Sequence, residues 1–180
     1  GARELPAGVV SFVLTDIEGS TRLLRELEDG YGELLDLHHA LLRAAWRAHD
    51  GHEVTTEGDA FLVAFADASS AVAASVDAQR ALAAADWPTA MPVRVRIGIH
   101  TGYARPRGGD YVALALHQAA RVVDAAHGGQ VLVTGDTAAR ATALPAGVRL
   151  ERLGRFRVRD FDEPPELFRV TGVGMERRDA

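Results

Sequence analysis

A chain of 180 residues with 47% hydrophobic content can enclose one compact core, and a net charge of −5 with a pI near 5.8 argues against a nucleic-acid-binding face, which is ordinarily basic. The absence of cysteine excludes disulfides and thiolate metal sites, and no apolar run approaches the roughly 18 residues needed to cross a membrane. With no secretory signal visible, the expectations are a cytoplasmic location, no nucleic-acid partner and no membrane contact from this segment. All 20 basic residues are arginine.

In chain order, Val9–Leu14 is a continuous β-branched run that predicts a buried central strand. Ser20 then predicts a helix cap, with Leu23, Leu24 and Leu27 on the inner face. A second helical pattern covers Tyr31 to Ala48. A hairpin follows, with strands near His52–Thr56 and Ala60–Phe65 joined at Glu57-Gly58-Asp59. Asp67 predicts the cap of an alanine-rich helix reaching Ala85. Val93–Thr101 alternates as a half-buried strand, Arg105–Asp110 reads as a loop, and Val112–Ala126 as a helix closed by Gly128-Gly129. A short strand at Gln130–Thr134 and a short helix at Asp136–Ala143 come next, then strands near Val148–Leu153, Arg155–Arg159 and Leu167–Thr171. The fold class is therefore α/β, a ferredoxin-like βαββαβ core with a mixed sheet, helices on one face and a C-terminal extension. Residues 1–8 read as an N-terminal extension or cloning remnant, 9–172 as one domain and 173–180 as a tail.

Asp16 follows the first strand and Asp59 sits at the hairpin turn, so the topology brings both carboxylates to one rim of the sheet. Two carboxylates at one point repel unless a cation joins them, and oxygen ligands favour Mg²⁺ or Mn²⁺. Gly19-Ser20-Thr21 opens a helix, whose free N–H groups form an anion site. Metal carboxylates beside a phosphate-sized nest point to a nucleoside triphosphate; the plainer reading makes each aspartate a turn residue.

The segment Phe12-Val13-Leu14-Thr15-Asp16-Ile17-Glu18-Gly19-Ser20-Thr21 resembles the first metal motif of class III adenylyl and guanylyl cyclases, and Glu57-Gly58-Asp59-Ala60-Phe61 the second. Arg96-Ile97-Gly98-Ile99-His100-Thr101-Gly102 is similar to a later strand of that family. Asp110-Tyr111-Val112 and His117-Gln118-Ala119-Ala120-Arg121 resemble its transition-state helix, and Gly154-Arg155-Phe156-Arg157-Val158-Arg159 its late triphosphate hairpin. The resemblance spans about Val9 to Val170 and makes 9–172 a cyclase homology domain.

It implies that Asp16, Asp59 and the carbonyl of Ile17 hold two Mg²⁺ or Mn²⁺ ions, with Gly19, Ser20 and Thr21 against the β- and γ-phosphates. Arg121 then neutralises charge building on the α-phosphate, Arg159 stands for a triphosphate-binding lysine, and Asp110 accepts from the adenine amino group. Thr55 occupies the place of the adenine-selecting lysine and His117 that of an asparagine facing the ribose. Ala113 replaces a glycine and Tyr103 an arginine. The implied function is an adenylyl cyclase making cyclic AMP from ATP, with GTP a second candidate, as a homodimer whose regulatory domains lie elsewhere in the full-length protein. The alternatives are a nucleotide-binding regulatory domain of low or no activity, which Thr55 and His117 favour, and a palm-type polymerase or diguanylate cyclase, whose Gly-Gly-Asp/Glu-Glu-Phe hairpin is absent. His38 and His39 are adjacent and point apart, so they read as no metal pair. His100, Trp46 and Trp87 read as packing residues, and Arg94 and Arg96 as the solvated face of a strand.

Overall fold

The computed structural model describes residues 4–172, 174 and 175, so the first three residues of the expected extension and most of the expected tail lie outside the described residues. Strand β1 (Gly8–Ile17) alternates between two apolar environments, Val10 and Phe12 on one side and Val13 and Ile17 on the other, and so must be covered on both faces. Two helices, α1 (Ser20–Leu27) and α2 (Gly30–Ala48), lead to a hairpin of β2 (His52–Glu57) and β3 (Ala60–Phe65). Helix α3 (Ala68–Ala84) begins where the Asp67 side chain accepts from the Ser70 N–H, as the sequence predicts. Strand β4 (Val95–Ala104) completes the βαββαβ unit.

A two-residue hairpin, β5 (Pro106–Arg107) with β6 (Asp110–Tyr111), interrupts the expected loop and leads to α4 (Leu114–Ala125). Then come β7 (Val131–Thr134), α5 (Gly135–Arg140), β8 (Arg149–Arg155) and β9 (Glu166–Thr171). The main sheet runs β2-β3-β1-β4-β7-β9-β8, in which β4 and β7 pair in parallel and the other neighbours are antiparallel.

Three expectations need correction. Helices cover both faces: α2 and α3 pack on the Val13 side, whereas α4 lies on the Phe12 side across β4 and β1. The close approach of α4 is possible because β4 offers glycines there; a Cβ on Gly98 would stand 2.5 Å from the Val123 backbone nitrogen. The expected strand Arg155–Arg159 does not form. Arg155 ends β8, and the chain beyond it turns at Asp160 (φ 69°) and passes Pro164-Pro165, neither of which continues a ladder. Finally, Ser20 is the first helical residue, not the cap; Gly19 occupies the cap position with φ 68°, a left-handed conformation that glycine adopts freely.

The core beneath α2 holds an unusual group. His38 is fully buried beside Phe61, and neither ring nitrogen meets a hydrogen-bond partner among the described residues. Burial, with a smaller contribution from His39, pushes its pKa down from 6.5 to about 3. The unfolded chain therefore binds a proton that the folded one refuses, so stability is full above about pH 6.5 and falls as pH drops from there toward 3. Between pH 7.5 and 5.5 this amounts to about 1.4 kcal/mol. Urea melts of wild type and His38→Phe at the two pH values should differ by that amount, the variant being the less pH-sensitive; equal pH dependence would remove His38 as its source.

Candidate active site

The pairing of β1 with β3 runs from Ser11 opposite Phe65 to Thr15 opposite Phe61, and two residues further along it brings the hairpin turn to the end of β1. There the Asp59 carboxylate accepts from the backbone N–H of Ile17 at 2.6 Å. Asp16, the neighbour of Ile17, points to the other face, where Arg96 of the adjacent strand grips it through Nε and Nη2 at 2.6 and 2.5 Å. The two sequence-predicted carboxylates thus come together at one end of the sheet.

Both are anchored from outside the pair. His39 Nε2 reaches the carbonyl of Gly58 at 2.7 Å and ties α2 to the hairpin tip. Tyr31 also lies near the tip: burial, then the charge of Asp59, raises its hydroxyl pKa above 10. The hydrogen bond from Arg96 to Asp16 raises the arginine pKa further above its usual value, against a smaller opposing effect of burial. Asp16, Asp59 and the Ile17 carbonyl are an oxygen-only donor set, which fits a hard divalent cation. Among the described residues no three acidic or histidine side chains converge, so remaining ligands would come from water or substrate. Gly19, Ser20 and Thr21 begin α1 directly after this strand end.

The other predicted residues stand on β2, β6, α4 and the segment after β8. Thr55 is exposed on β2, opposite Leu62 and just past a bulge. Asp110 is exposed on β6, its Oδ1 accepting from the Tyr111 N–H at 2.7 Å. The Tyr111 hydroxyl in turn donates to the Pro6 carbonyl. His117 and Arg121 stand one turn apart on α4, His117 exposed and Arg121 half-buried. Arg159 is exposed on the segment after β8. The Ala113 backbone is extended (φ −154°), so the residue in the glycine's place is unstrained.

The sequence pattern of the adenylate and guanylate cyclase catalytic domain matches residues 4–171. The chain belongs to this family. It is 37% identical over 163 residues to an uncharacterised protein of Mycobacterium tuberculosis, covering 88% of this chain and 54% of that protein. It is 36% identical over 158 residues to an adenylate cyclase of Mycosarcoma maydis, covering 73% of this chain and 6% of that enzyme. The chain thus spans about half the length of the mycobacterial relative and a small part of the fungal one. Among solved structures it resembles an adenylate cyclase of Trypanosoma brucei in its monomeric state, with a TM-score of 0.85 and 26% identity over 99% of this chain and 95% of that one.

In this cyclase domain, residues beyond the expected set hold the candidate site in place. Arg96 is not a solvated strand residue; its side chain is 27% exposed and fully engaged with Asp16. The signal available in the sequence was register: Asp16 and Arg96 pair across β1 and β4, and opposite charges at paired positions attract. His39 has no such signal, because its contact crosses from α2 to the hairpin. His100 is buried, as expected of a packing residue, and bonds Thr134 at 2.8 Å and Gln118 at 2.9 Å. Trp46 is core, and Trp87 is half-buried with Nε1 donating to the Leu82 carbonyl. Asp160 binds Arg121 Nε at 2.9 Å, and that hydrogen bond holds its carboxyl below the usual carboxylate range. No helix among the described residues is long and apolar enough to cross a membrane.

Arg96 occupies the Asp16 oxygens that a divalent cation would need, so the two would compete if Asp16 is a metal ligand. Arg96→Gln removes the competitor and one positive charge, so Mn²⁺ binding without nucleotide, followed by electron paramagnetic resonance, should tighten by roughly tenfold. Unchanged or weaker Mn²⁺ binding in the folded variant would show that Asp16 is not a metal ligand.

Proposed function

We propose that this cyclase domain converts ATP to 3′,5′-cyclic AMP and pyrophosphate at a site shared between two copies of the chain. The observation that carries the reading is the meeting of the hairpin and strand carboxylates at the end of β1, where Asp59 is fixed on the Ile17 N–H beside Asp16. Two divalent ions held there would lower the pKa of the ribose 3′-hydroxyl and neutralise the triphosphate. Asp16, Asp59 and the Ile17 carbonyl orient that charge, and Gly19, Ser20 and Thr21 at the start of α1 receive the β- and γ-phosphates. The 3′-oxygen attacks the α-phosphorus in line, its proton passing to solvent, and the bond to the bridging oxygen breaks to release pyrophosphate. Arg121 stabilises the charge that builds on the α-phosphate, a role whose removal costs on the order of 10²–10³ in rate. Arg159 holds the triphosphate with a planar fork in place of an ammonium. Asp110 accepts from the adenine amino group, Thr55 offers an uncharged hydroxyl, and His117 donates to the ribose.

Large apolar side chains exposed around α4 support a second copy as partner: Val112 is 82% exposed, Tyr103 62% and Leu114 61%. Two-fold symmetry then makes two equivalent sites, with Asp16 and Asp59 of one copy facing Thr55, Asp110, His117, Arg121 and Arg159 of the other. The second reading, a nucleotide-binding regulatory domain with little turnover, rests on exposed Thr55 and His117 in the purine and ribose positions. Incubation with ATP or GTP and Mn²⁺, with product identification, separates the two.

The missing lysine sets the base preference. Loss of a charged hydrogen bond costs about 1.5–3 kcal/mol, so discrimination between ATP and GTP should be poor and Thr55→Lys should raise the ATP preference roughly 10- to 100-fold in kcat/KM. An unchanged ratio would remove Thr55 from the purine pocket. Sharing of the site predicts complementation. Asp59→Ala should be inactive alone and Arg121→Ala slowed on the order of 10²–10³-fold, whereas their co-expression makes half the dimers mixed, each with one intact site, and recovers about a quarter of wild-type activity. No recovery in verified heterodimers would mean that each chain builds its own site.

A further inference from the structure

The segment after β8 is built around one turn. Val158 and Phe161 both pack against the small cluster of Val122, Ala126, Leu132 and Leu167, and the Phe161 N–H closes on the Val158 carbonyl at 3.4 Å. Arg159 and Asp160 stand between these anchors, exposed. Asp160 adopts φ 69°, a left-handed conformation that a short polar side chain tolerates at the third position of such a turn.

Asp160 is also where the turn meets α4. Its carbonyl accepts from Gln118 Nε2 at 3.1 Å and its carboxylate from Arg121 Nε at 2.9 Å. Gln118 is itself fixed: its Oε1 meets His100 Nε2, and His100 Nδ1 meets the Thr134 hydroxyl. Because the Gln118 amide nitrogen is spent on Asp160, its oxygen must accept, which places the His100 proton on Nε2 and makes Thr134 the donor to Nδ1. Phe161 stands edge-on to the same imidazole, ring centroids 5.1 Å apart. One connected set of contacts therefore runs from β7 through β4 and α4 to the turn.

We infer that Asp160 is a positioning residue of the cyclisation site: it holds the Arg121 guanidinium by Nε and carries Arg159 on the same turn, so that two cations meant for the triphosphate keep one relative position. The contact is through Nε alone, which leaves both terminal nitrogens of Arg121 for phosphate oxygens. Asp124, 3.9 Å from Nη1, is the looser neighbour. Without Asp160 a half-exposed arginine would sample many rotamers, and reacting geometry degrades steeply with small displacements. The inference rests on the cyclase reading, since Arg121 and Arg159 take their roles from it.

The test uses Asp160→Gly, which keeps the left-handed turn and removes the carboxylate, and Asp160→Asn, which keeps an acceptor oxygen. Asp160→Gly should lower kcat at least tenfold while KM moves less than about threefold; Asp160→Asn should retain kcat within about threefold. Added to Arg121→Ala, Asp160→Gly should cost nothing further. A kcat at or above wild type in Asp160→Gly, or a full loss that persists on top of Arg121→Ala, overturns the role. The Arg121 Nε–H signal in ¹⁵N NMR, assigned by its disappearance in Arg121→Ala, reports the contact without turnover. It should exchange slowly in wild type and Asp160→Asn and fast in Asp160→Gly; no change in Asp160→Gly overturns the contact itself. A wild-type chain that exchanges slowly at this signal but makes no cyclic nucleotide would overturn the cyclase reading, and with it the catalytic purpose of the contact, while the ion pair stands.

Discussion

Two carboxylates brought toward one end of the sheet, Asp16 on β1 and Asp59 on the β2–β3 turn, repel, and the fold must hold both in place by partners that are not each other. Asp59 is satisfied by a backbone amide of β1, and Asp16 by a guanidinium of β4. Neither arrangement is local. The first needs the β2–β3 hairpin paired with β1 in a register that carries the turn as far as Ile17, and the second needs β4 on the opposite edge of β1 with Arg96 beside Asp16. β1 is an interior strand, flanked by β3 and β4, and both anchors depend on that placement. α2 adds the last restraint, where His39 reaches the hairpin tip.

The Phe12 face of the sheet, which Asp16 shares, also carries α4 with Arg121. Glycines at 98 and 102 of β4 let α4 lie so close that a methyl group at either position would meet helix atoms at 2.5 to 2.7 Å. A helix seated this firmly offers Arg121 from a fixed backbone, and the turn at Asp160 supports its long side chain from outside. Packing thus sets the position of the charge, and hydrogen bonding its direction. The buried hydroxyls of Ser11, Thr101 and Thr137, bonded at 2.8 and 2.9 Å, tie β1, β4 and α5 together beneath this assembly and satisfy groups that would otherwise be costly to bury.

Much of this was legible in the chain itself. Apolar periodicity, caps and glycine-containing turns gave the order of the main strands and helices from β1 to α4, though not the two-residue β5–β6 hairpin, because these signals are set within a few residues of one another. The ferredoxin-like core followed from that order, and the family from motifs that keep their sequence spacing. What the sequence by itself determined about this protein is therefore most of its elements, its family and the short segments that bear its charges. The tertiary structure alone decided that helices cover both faces of the sheet, since alternation along β1 and β4 names two apolar sides without saying what fills them. It decided that Arg96 is bound to Asp16 and not to solvent, that His39 holds the hairpin tip, and that the residues after Arg155 form a turn docked on α4. These contacts join residues separated by 80, 19 and 42 positions, and a long-range pairing depends on register and packing that no local pattern encodes.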